Sequence, residues 1–165
     1  MHQPAALQPM EWHRDGYTLS TDRARLDLDV VHAFLSGQSY WAQGVPRDVV
    51  SRALDNSLPF GLYAPDGELA GFARVLTDYA MFAYLRDVFV DPAHRGKGLA
   101  TWMSRAMRDH PGLDSVTNWT LATADAHEVY RRAGYVLAEH PEWYMQVKRE
   151  GWKRLAADQA SGSGT

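Results

Sequence analysis

The stretch of sequence with the clearest chemical potential joins a strand-like segment to a helix through a loop that contains two glycines. It covers residues 87–100 and reads DVFVDPAHRGKGLA. Gly96 and Gly98 have no Cβ, so their backbone N–H groups can converge on one ligand, and the helix that starts here adds partial positive charge. Arg95 and Lys97 place full charges at the rim. This combination is suited to bind an anion such as a pyrophosphate.

Two common phosphate-binding motifs do not fit this loop. The Rossmann fingerprint needs a third glycine where this chain has Thr101, and an acidic residue about twenty positions further on, which this chain lacks at the end of a second strand. A Walker A loop needs Ser or Thr directly after Gly-Lys, and here Gly98 follows. A third pattern, R-x-x-G-x-A, is met by Arg95, Gly98 and Ala100.

The R-x-x-G-x-A pattern resembles the coenzyme A loop of the GCN5-related N-acetyltransferases, the GNAT family. A second segment, residues 119–135, reads WTLATADAHEVYRRAGY. It is similar to the family's later strand, helix and glycine turn, where a tyrosine precedes two polar residues and an x-Gly-aromatic sequence. Arg95 and Tyr130 are 130 − 95 = 35 residues apart, which also fits. The resemblance covers residues 17–147.

The resemblance implies an α/β (α+β) fold with a mixed, mostly antiparallel sheet of about six to seven strands and about four flanking helices. Two central parallel strands of such a sheet splay apart, and acetyl-coenzyme A (acetyl-CoA) would bind in the gap as cosubstrate. A primary amine of a small molecule or peptide would then attack the thioester directly in a ternary complex. The implied cofactor-binding side of the gap consists of Arg95, Gly96, Lys97, Gly98, Leu99, Ala100, Thr101 and Thr123, the last standing where many relatives have asparagine.

This chemistry needs an oxyanion donor, an acid and a base. For the acid the resemblance implies Tyr130, whose phenol is protonated at neutral pH, although its helical position also suits a core residue. The base is open: Asp87 is the only acid in its strand, but it is equally suited to a structural ion pair with Arg86 or another cation, and water could take the proton instead. The implied oxyanion donors are the backbone N–H groups of a bulged strand segment, Val88, Phe89 and Val90.

In this family the connection between the first two helices overhangs the acceptor site, so the resemblance implies Tyr40 and Trp41 as substrate walls. Tyr79, in the turn before the bulged strand, is a further candidate. Alternatively, these rings only close a small core. Arg86 stands where some relatives carry an acid, which argues against a polyamine-like acceptor. Because fold does not fix function, a non-catalytic acyl-CoA-binding sensor or interaction module remains the alternative.

The composition argues against several other classes of protein. A net charge of −3, from 17 basic and 20 acidic residues, gives no bulk attraction to nucleic acid or anionic membranes. The absence of cysteine excludes disulfides and cysteine nucleophiles, and the seven histidines show no metal-binding spacing. We find neither a secretory signal nor an apolar run that would span a membrane. We therefore expect a cytoplasmic protein without metal, nucleic-acid or membrane partners, and a homodimer is compatible with the sequence.

Changes in hydrophobic period predict the elements that must position these residues. We expect a flexible extension over residues 1–15, one catalytic domain over 16–150 and a tail over 151–165. Helices are expected over about 23–36, 46–56, 99–110 and 126–133. Strands are expected over about 17–20, 58–63, 68–76, 82–90, 116–123, 135–138 and 143–147.

Overall fold

The strands of the protein form one curled sheet of mixed direction. Residues 8–152 are described by the computed structural model. The sheet has six strands in the order β1-β2-β3-β4-β5-β6. All neighbouring strands are antiparallel except β5 and β6, which run parallel. The strands are β1 (Glu11–Arg14), β2 (Tyr17–Ser20), β3 (Leu58–Tyr63), β4 (Leu69–Thr77), β5 (Phe82–Val90) and β6 (Asn118–Thr120).

The described residues contain four α-helices, which cover both faces of the sheet. They are α1 (Leu28–Gly37), α2 (Arg47–Asp55), α3 (Leu99–Arg108) and α4 (His127–Arg132). The side chain of Asp27 begins α1 by accepting hydrogen bonds from the N–H groups of the first turn. Pro46 precedes α2, where its missing N–H is not needed. This α+β architecture confirms the predicted fold class.

Two apolar clusters hold the layers together. One lies between the sheet and α3, where Met103 and Met107 contact residues of β2 to β5 such as Phe60. The other joins α1 and α2 to the opposite face, where Phe89 of β5 stacks on Phe34 of α1 at 3.7 Å between ring centroids. Because both faces of the sheet are covered, β3 is buried at every position. Strand β5 contributes to both clusters, with Leu85 in the first and Phe89 in the second, and is thereby fixed between the two layers of helices.

The structure differs from the sequence-based prediction at both ends of the chain. Residues 11–14 form strand β1, although we expected a loose extension there, because they pair along their whole length with β2. The strands expected at 135–138 and 143–147 are absent, and several of their apolar side chains are exposed. Alternating apolar residues define a face but supply no partner for the backbone, and no strand pairs with these segments in the described chain. The predictions for residues 1–7 and 153–165 lie outside the described residues.

Candidate active site

The glycine loop between β5 and α3 presents a run of backbone donors. Gly96 and Gly98 have φ values of +78° and +70°, in the left-handed region that favours glycine. Among the described residues, the backbone N–H groups of residues 96–101 have no hydrogen-bond acceptor; the regular bonds of α3 begin when Trp102 donates to the carbonyl of Gly98. A Cβ at Gly96 would meet only open space. The loop and the first turn of α3 therefore have the form of an anion cradle.

Arg95 and Lys97 flank this cradle as the sequence predicts. The Nε of Arg95 donates to the carbonyl oxygen of Val90 at 2.9 Å, which ties the loop back to the end of β5. The Nζ of Lys97 donates to the hydroxyl oxygen of Tyr17 at 2.9 Å. The same hydroxyl lies 2.9 Å from Nδ1 of His94. These contacts hold both cations at the rim of the loop, where they would face a bound anion.

Arg14 of β1 is a third cation beside the loop. Its guanidinium nitrogens lie 3.4 Å from the carbonyl oxygens of Lys97 and Gly98. They also lie within 3.8 Å of the position that a Cβ on Gly98 would occupy. This contact could not be predicted from the sequence, since Arg14 belongs to the stretch that we expected to be loose. Only the pairing of β1 with β2 brings it here.

Strand β5 bulges shortly before it reaches the loop. The register between β4 and β5 shifts between Phe72 and Arg74, so that Asp87 and Val88 both lie opposite the single residue Ala73. Asp87 takes up the extra length with a φ of +56°, a left-handed conformation that is uncommon for residues other than glycine. The bulge therefore lies at Asp87 and Val88, at the start of the segment 88–90 where the resemblance implied one, while Phe89 and Val90 keep regular register with β4.

The parallel strands β5 and β6 separate just before the bulge. Within residues 8–152 they pair only at residues 82–84 of β5, and no other described strand pairs with the remainder of β5 on this side. The carbonyl of Phe89 points at Gly71 of β4, whereas the carbonyl of Val90 accepts from Arg95 on the opposite edge. Alternate residues of a strand direct their backbone groups to opposite edges. The N–H groups of Val88 and Val90 thus face the gap, and that of Phe89 faces β4.

Asp87 is buried and both of its carboxylate oxygens are engaged. Arg74 Nε donates to Oδ2 at 2.5 Å, and the indole Nε1 of Trp41 donates to Oδ1 at 2.9 Å. The side chains of Asp87 and Arg74 are only 6% and 12% exposed. This arrangement supports the alternative of a structural carboxylate, with Arg74 as the cation instead of Arg86. A lone arginine inside the apolar strand β4 was the sequence signal for this partner, because buried charges are usually paired.

Tyr130 lies on α4, which hydrogen bonds from α3 hold in place, and its ring packs against the apolar cluster under α3. Side chains of α3 donate to carbonyl groups at the end of α4, namely Thr101 to Val129, Arg105 to Arg132 and Arg108 to Ala133. Burial raises the pKa of Tyr130 to about 12, and the nearby Tyr135, Tyr40 and Asp125 add to this effect. The phenol therefore stays protonated throughout the neutral range, where it can donate a hydrogen bond.

The remaining predicted residues do not all come together. Tyr40 and Trp41 lie in the α1–α2 connection on the side of Asp87, and the hydroxyl of Tyr40 accepts a hydrogen bond from the N–H of Ala124 at 3.1 Å. Thr123 Oγ1 accepts from the N–H of Ala126 at 3.0 Å, so the threonine braces the turn that precedes α4. Tyr79 packs against the cluster under α3, whereas Trp41 packs against the cluster under α1 and α2. The structure therefore separates Tyr79 from the other two candidate acceptor residues.

Between residues 8 and 152, no helix is both long enough and apolar enough to cross a membrane. Nor do three or more His, Cys, Asp or Glu side chains in that range gather into a group that could hold a metal ion.

Comparison with known proteins identifies the family. The model of the acetyltransferase (GNAT) domain matches residues 58–137, which include the bulge, the glycine loop and Tyr130. A curated relative from Gibberella zeae, named "Putative acetyltransferase FG08082", is 33% identical over 120 residues, which are 62% of this chain and 68% of the relative.

Solved structures agree with this match. The crystal structure of a protein from Xanthomonas campestris, described as belonging to the GNAT family, is 42% identical with a TM-score of 0.76, covering 82% of this chain and 94% of that one. A GNAT family acetyltransferase from Streptococcus pneumoniae shares only the fold, with 17% identity, a TM-score of 0.59 and coverage of 81% and 98%. The splayed strands, the bulge and the glycine cradle thus occur in a chain that belongs to the GNAT family of acetyltransferases.

Proposed function

We propose that this protein transfers an acetyl group from acetyl-CoA to a primary amine of a small molecule or peptide, by direct attack in a ternary complex. The observation that carries the proposal is that two sets of backbone donors lie in and directly after the part of β5 that β6 does not pair with in the described chain. Residues 96–101 offer one set, and Val88 and Val90 offer the other. The first set suits a pyrophosphate, and the second suits a carbonyl oxygen that becomes negative during reaction.

The residues of the chain fit acetyl-CoA as cosubstrate. Arg95, Lys97 and Arg14 add positive charge around the loop donors, and Gly98 keeps the approach to them open. When bound, acetyl-CoA supplies a thioester: the acceptor nitrogen bonds to its carbonyl carbon, the carbon–sulfur bond breaks, and one proton leaves the nitrogen while the sulfur takes one up. Thr123 lies between β6 and α4 and can donate its hydroxyl proton to the cosubstrate.

Tyr130 is proposed to stabilise the departing sulfur. A free thiol has a pKa of about 8.5, so complete proton transfer from a phenol of pKa about 12 is uphill by about 3.5 units, or roughly 5 kcal/mol. The phenol therefore acts mainly by donating a hydrogen bond while negative charge develops on the sulfur. The proton that the sulfur finally acquires then comes from water or from the acceptor amine.

Asp87 is proposed to position the bulge and not to act as the base. Its two oxygens already accept from Arg74 and Trp41, and the side chain is almost fully buried. Proton removal from the amine is therefore assigned to water at the open end of the gap. Alternatively the amine enters in its neutral form.

A panel of primary amines and amino-terminal peptides tests this function. The full-length protein is incubated with acetyl-CoA and each acceptor, and free thiol is measured alongside the mass of the acceptor. We expect at least one acceptor to gain an acetyl group at the rate of thiol release. Acetyl-CoA should also raise the melting temperature, by an amount that grows with the logarithm of its concentration once this exceeds the dissociation constant. If acetyl-CoA raises the melting temperature but no acceptor is modified, the chain is an acyl-CoA-binding module; if the melting temperature is unchanged up to millimolar ligand, acetyl-CoA is not its cosubstrate.

A further inference from the structure

The connection between α1 and α2 crosses the gap between the two splayed strands. On one side the Trp41 indole donates to Asp87 in the bulge of β5, at 2.9 Å. On the other side the hydroxyl of Tyr40 accepts from the backbone N–H of Ala124, which lies between β6 and α4, at 3.1 Å. Adjacent residues of one short segment thus contact both walls of the gap. We call residues 39–41 the clasp.

The clasp is held rigidly at its base. Ser39 is 2% exposed, and its hydroxyl donates to the carbonyl of Leu35 at 2.6 Å and accepts from the N–H of Ala42 at 3.1 Å. Gly44 N–H donates to the carbonyl of Ser36 at 2.8 Å, which closes the turn after the clasp. These contacts continue α1 into the clasp without a flexible joint. The two aromatic side chains are therefore presented from a fixed backbone.

The Trp41 end of the clasp is also fixed from below. Its ring packs against Phe34 at 6.3 Å between centroids, and Phe34 stacks on Phe89 of β5. The carboxylate that accepts from Trp41 is itself paired with Arg74. Removal of the indole N–H would therefore loosen the clasp without removing any charge from the site.

The Tyr40 end of the clasp is tied to the Trp41 end by contact between the two rings. They meet edge to face at 5.0 Å between centroids, so movement of one ring displaces the other. The hydroxyl of Tyr40 is close enough to Tyr130 to contribute to the raised pKa of that phenol. Although Tyr40 is 59% exposed, its hydroxyl is held by the opposite wall.

We propose that the clasp is a positioning device that holds the two splayed strands at a fixed separation, with Trp41 and Tyr40 as its positioning residues. By spanning the gap it also shields the acyl group from water, so that the thioester reacts with an amine in preference to hydrolysis. The shielding part rests on the proposed function, whereas the structural tie between β5 and the β6–α4 turn does not.

Hydrogen exchange of the Ala124 amide, followed by NMR in the protein alone, tests the tie. Tyr40→Phe removes the acceptor directly and should speed this exchange about threefold to tenfold, the range of one net hydrogen bond. Trp41→Phe keeps a ring but removes the N–H; it does not contact Ala124, yet we expect exchange there to rise as well. Trp12→Phe is the matched control, because Trp12 packs beside Phe60 and His110, away from the gap. Wild-type exchange at Ala124 in folded Tyr40→Phe and Trp41→Phe would overturn the inference.

Thiol release from acetyl-CoA without any amine tests the shielding. Here water attacks the thioester carbonyl, and acetate and the free thiol are the products. We expect this background rate to rise severalfold in both clasp variants and to stay at the wild-type value in Trp12→Phe. A lower acetyl transfer to a working amine with unchanged hydrolysis would refute shielding. Failure of acetyl-CoA to bind at all would refute the proposed function while leaving the exchange measurement to decide the tie.

Discussion

Replacing the buried Asp87 by asparagine separates its two possible roles. The change is almost isosteric, and asparagine tolerates the left-handed φ of +56° as well as aspartate does. The oxygen of the new amide can still accept from Trp41, but its NH₂ group then faces the N–H of Arg74. Arg74 would keep its charge in a place where only 12% of its side chain reaches solvent.

We expect a large loss in the free energy of unfolding, because one charge of a buried pair loses its partner. Breaking such a pair typically costs about 3–5 kcal/mol, and for a domain of this size each kcal/mol lowers the melting temperature by about 2–4 °C. We therefore expect the melting temperature of Asp87→Asn to fall by about 6–20 °C. Because Arg74 retains some solvent contact, the lower half of this range is favoured.

Two further variants control the interpretation of this loss. Asp29→Asn breaks the pair between Asp29 and Arg47, whose side chains are 77% and 55% exposed, and should move the melting temperature by less than about 3 °C. The double variant Asp87→Asn/Arg74→Gln removes the orphaned charge and should regain part of the lost stability. Scanning calorimetry of the four proteins measures all of these changes.

Turnover per folded molecule decides the catalytic question. Loss of a general base lowers turnover by about 10²–10⁴-fold, whereas loss of a positioning contact lowers it much less. We expect Asp87→Asn, assayed well below its melting temperature, to lose less than about tenfold. A melting temperature within about 2 °C of wild type, combined with a loss of about 10²-fold or more, would show that Asp87 is the base and that our reading of the ion pair is wrong.

Three other outcomes are expected. Gly98→Val forces a β-branched residue into a left-handed conformation and fills the cradle, so acetyl-CoA affinity in thermal-shift titrations should fall at least about tenfold. Gly67→Val places the same backbone strain in the β3–β4 turn and should leave that affinity unchanged. Tyr130→Phe should lower turnover about 10- to 150-fold, which corresponds to the free energy of a hydrogen bond to a charged group, with little change in acetyl-CoA affinity. If chemistry is rate-limiting and turnover stays within about twofold of wild type, Tyr130 is a core residue. Burial raises the pKa of both Tyr130 and Tyr135 from 10 to about 12. Their contribution to the free energy of unfolding is therefore complete below pH 10 and is lost as the pH rises towards 12, by about 1.4 kcal/mol for each phenol at pH 11. Tyr130→Phe should therefore lose less stability than wild type between pH 9 and pH 11 in denaturant titrations, and an equal loss would contradict the raised pKa.

Elements whose signals are local could be predicted from the sequence alone. The strand Phe82–Val90, the loop with Gly96 and Gly98 and the helix Leu99–Arg108 lie close to where their pattern predicts them. Apolar period and glycine conformation depend on neighbouring residues, so one segment carries the whole signal. For the same reason the cradle and its flanking Arg95 could be found without any knowledge of the rest of the chain.

Which residues meet across the gap depends on long-range packing and could not be predicted. Asp87 could be recognised as a lone acid, but its pairing with Arg74 depends on the register of β4 against β5. Arg14 reaches the glycine loop, and Tyr40 reaches Ala124, across 84 residues of sequence each. The segments after Gly134 show the converse, since their alternating pattern predicted strands that found no partner. Such contacts depend on the packing of the whole sheet. The chemistry of a side chain follows from its own position in the sequence, whereas the residue that it contacts depends on how all the elements between the two residues pack.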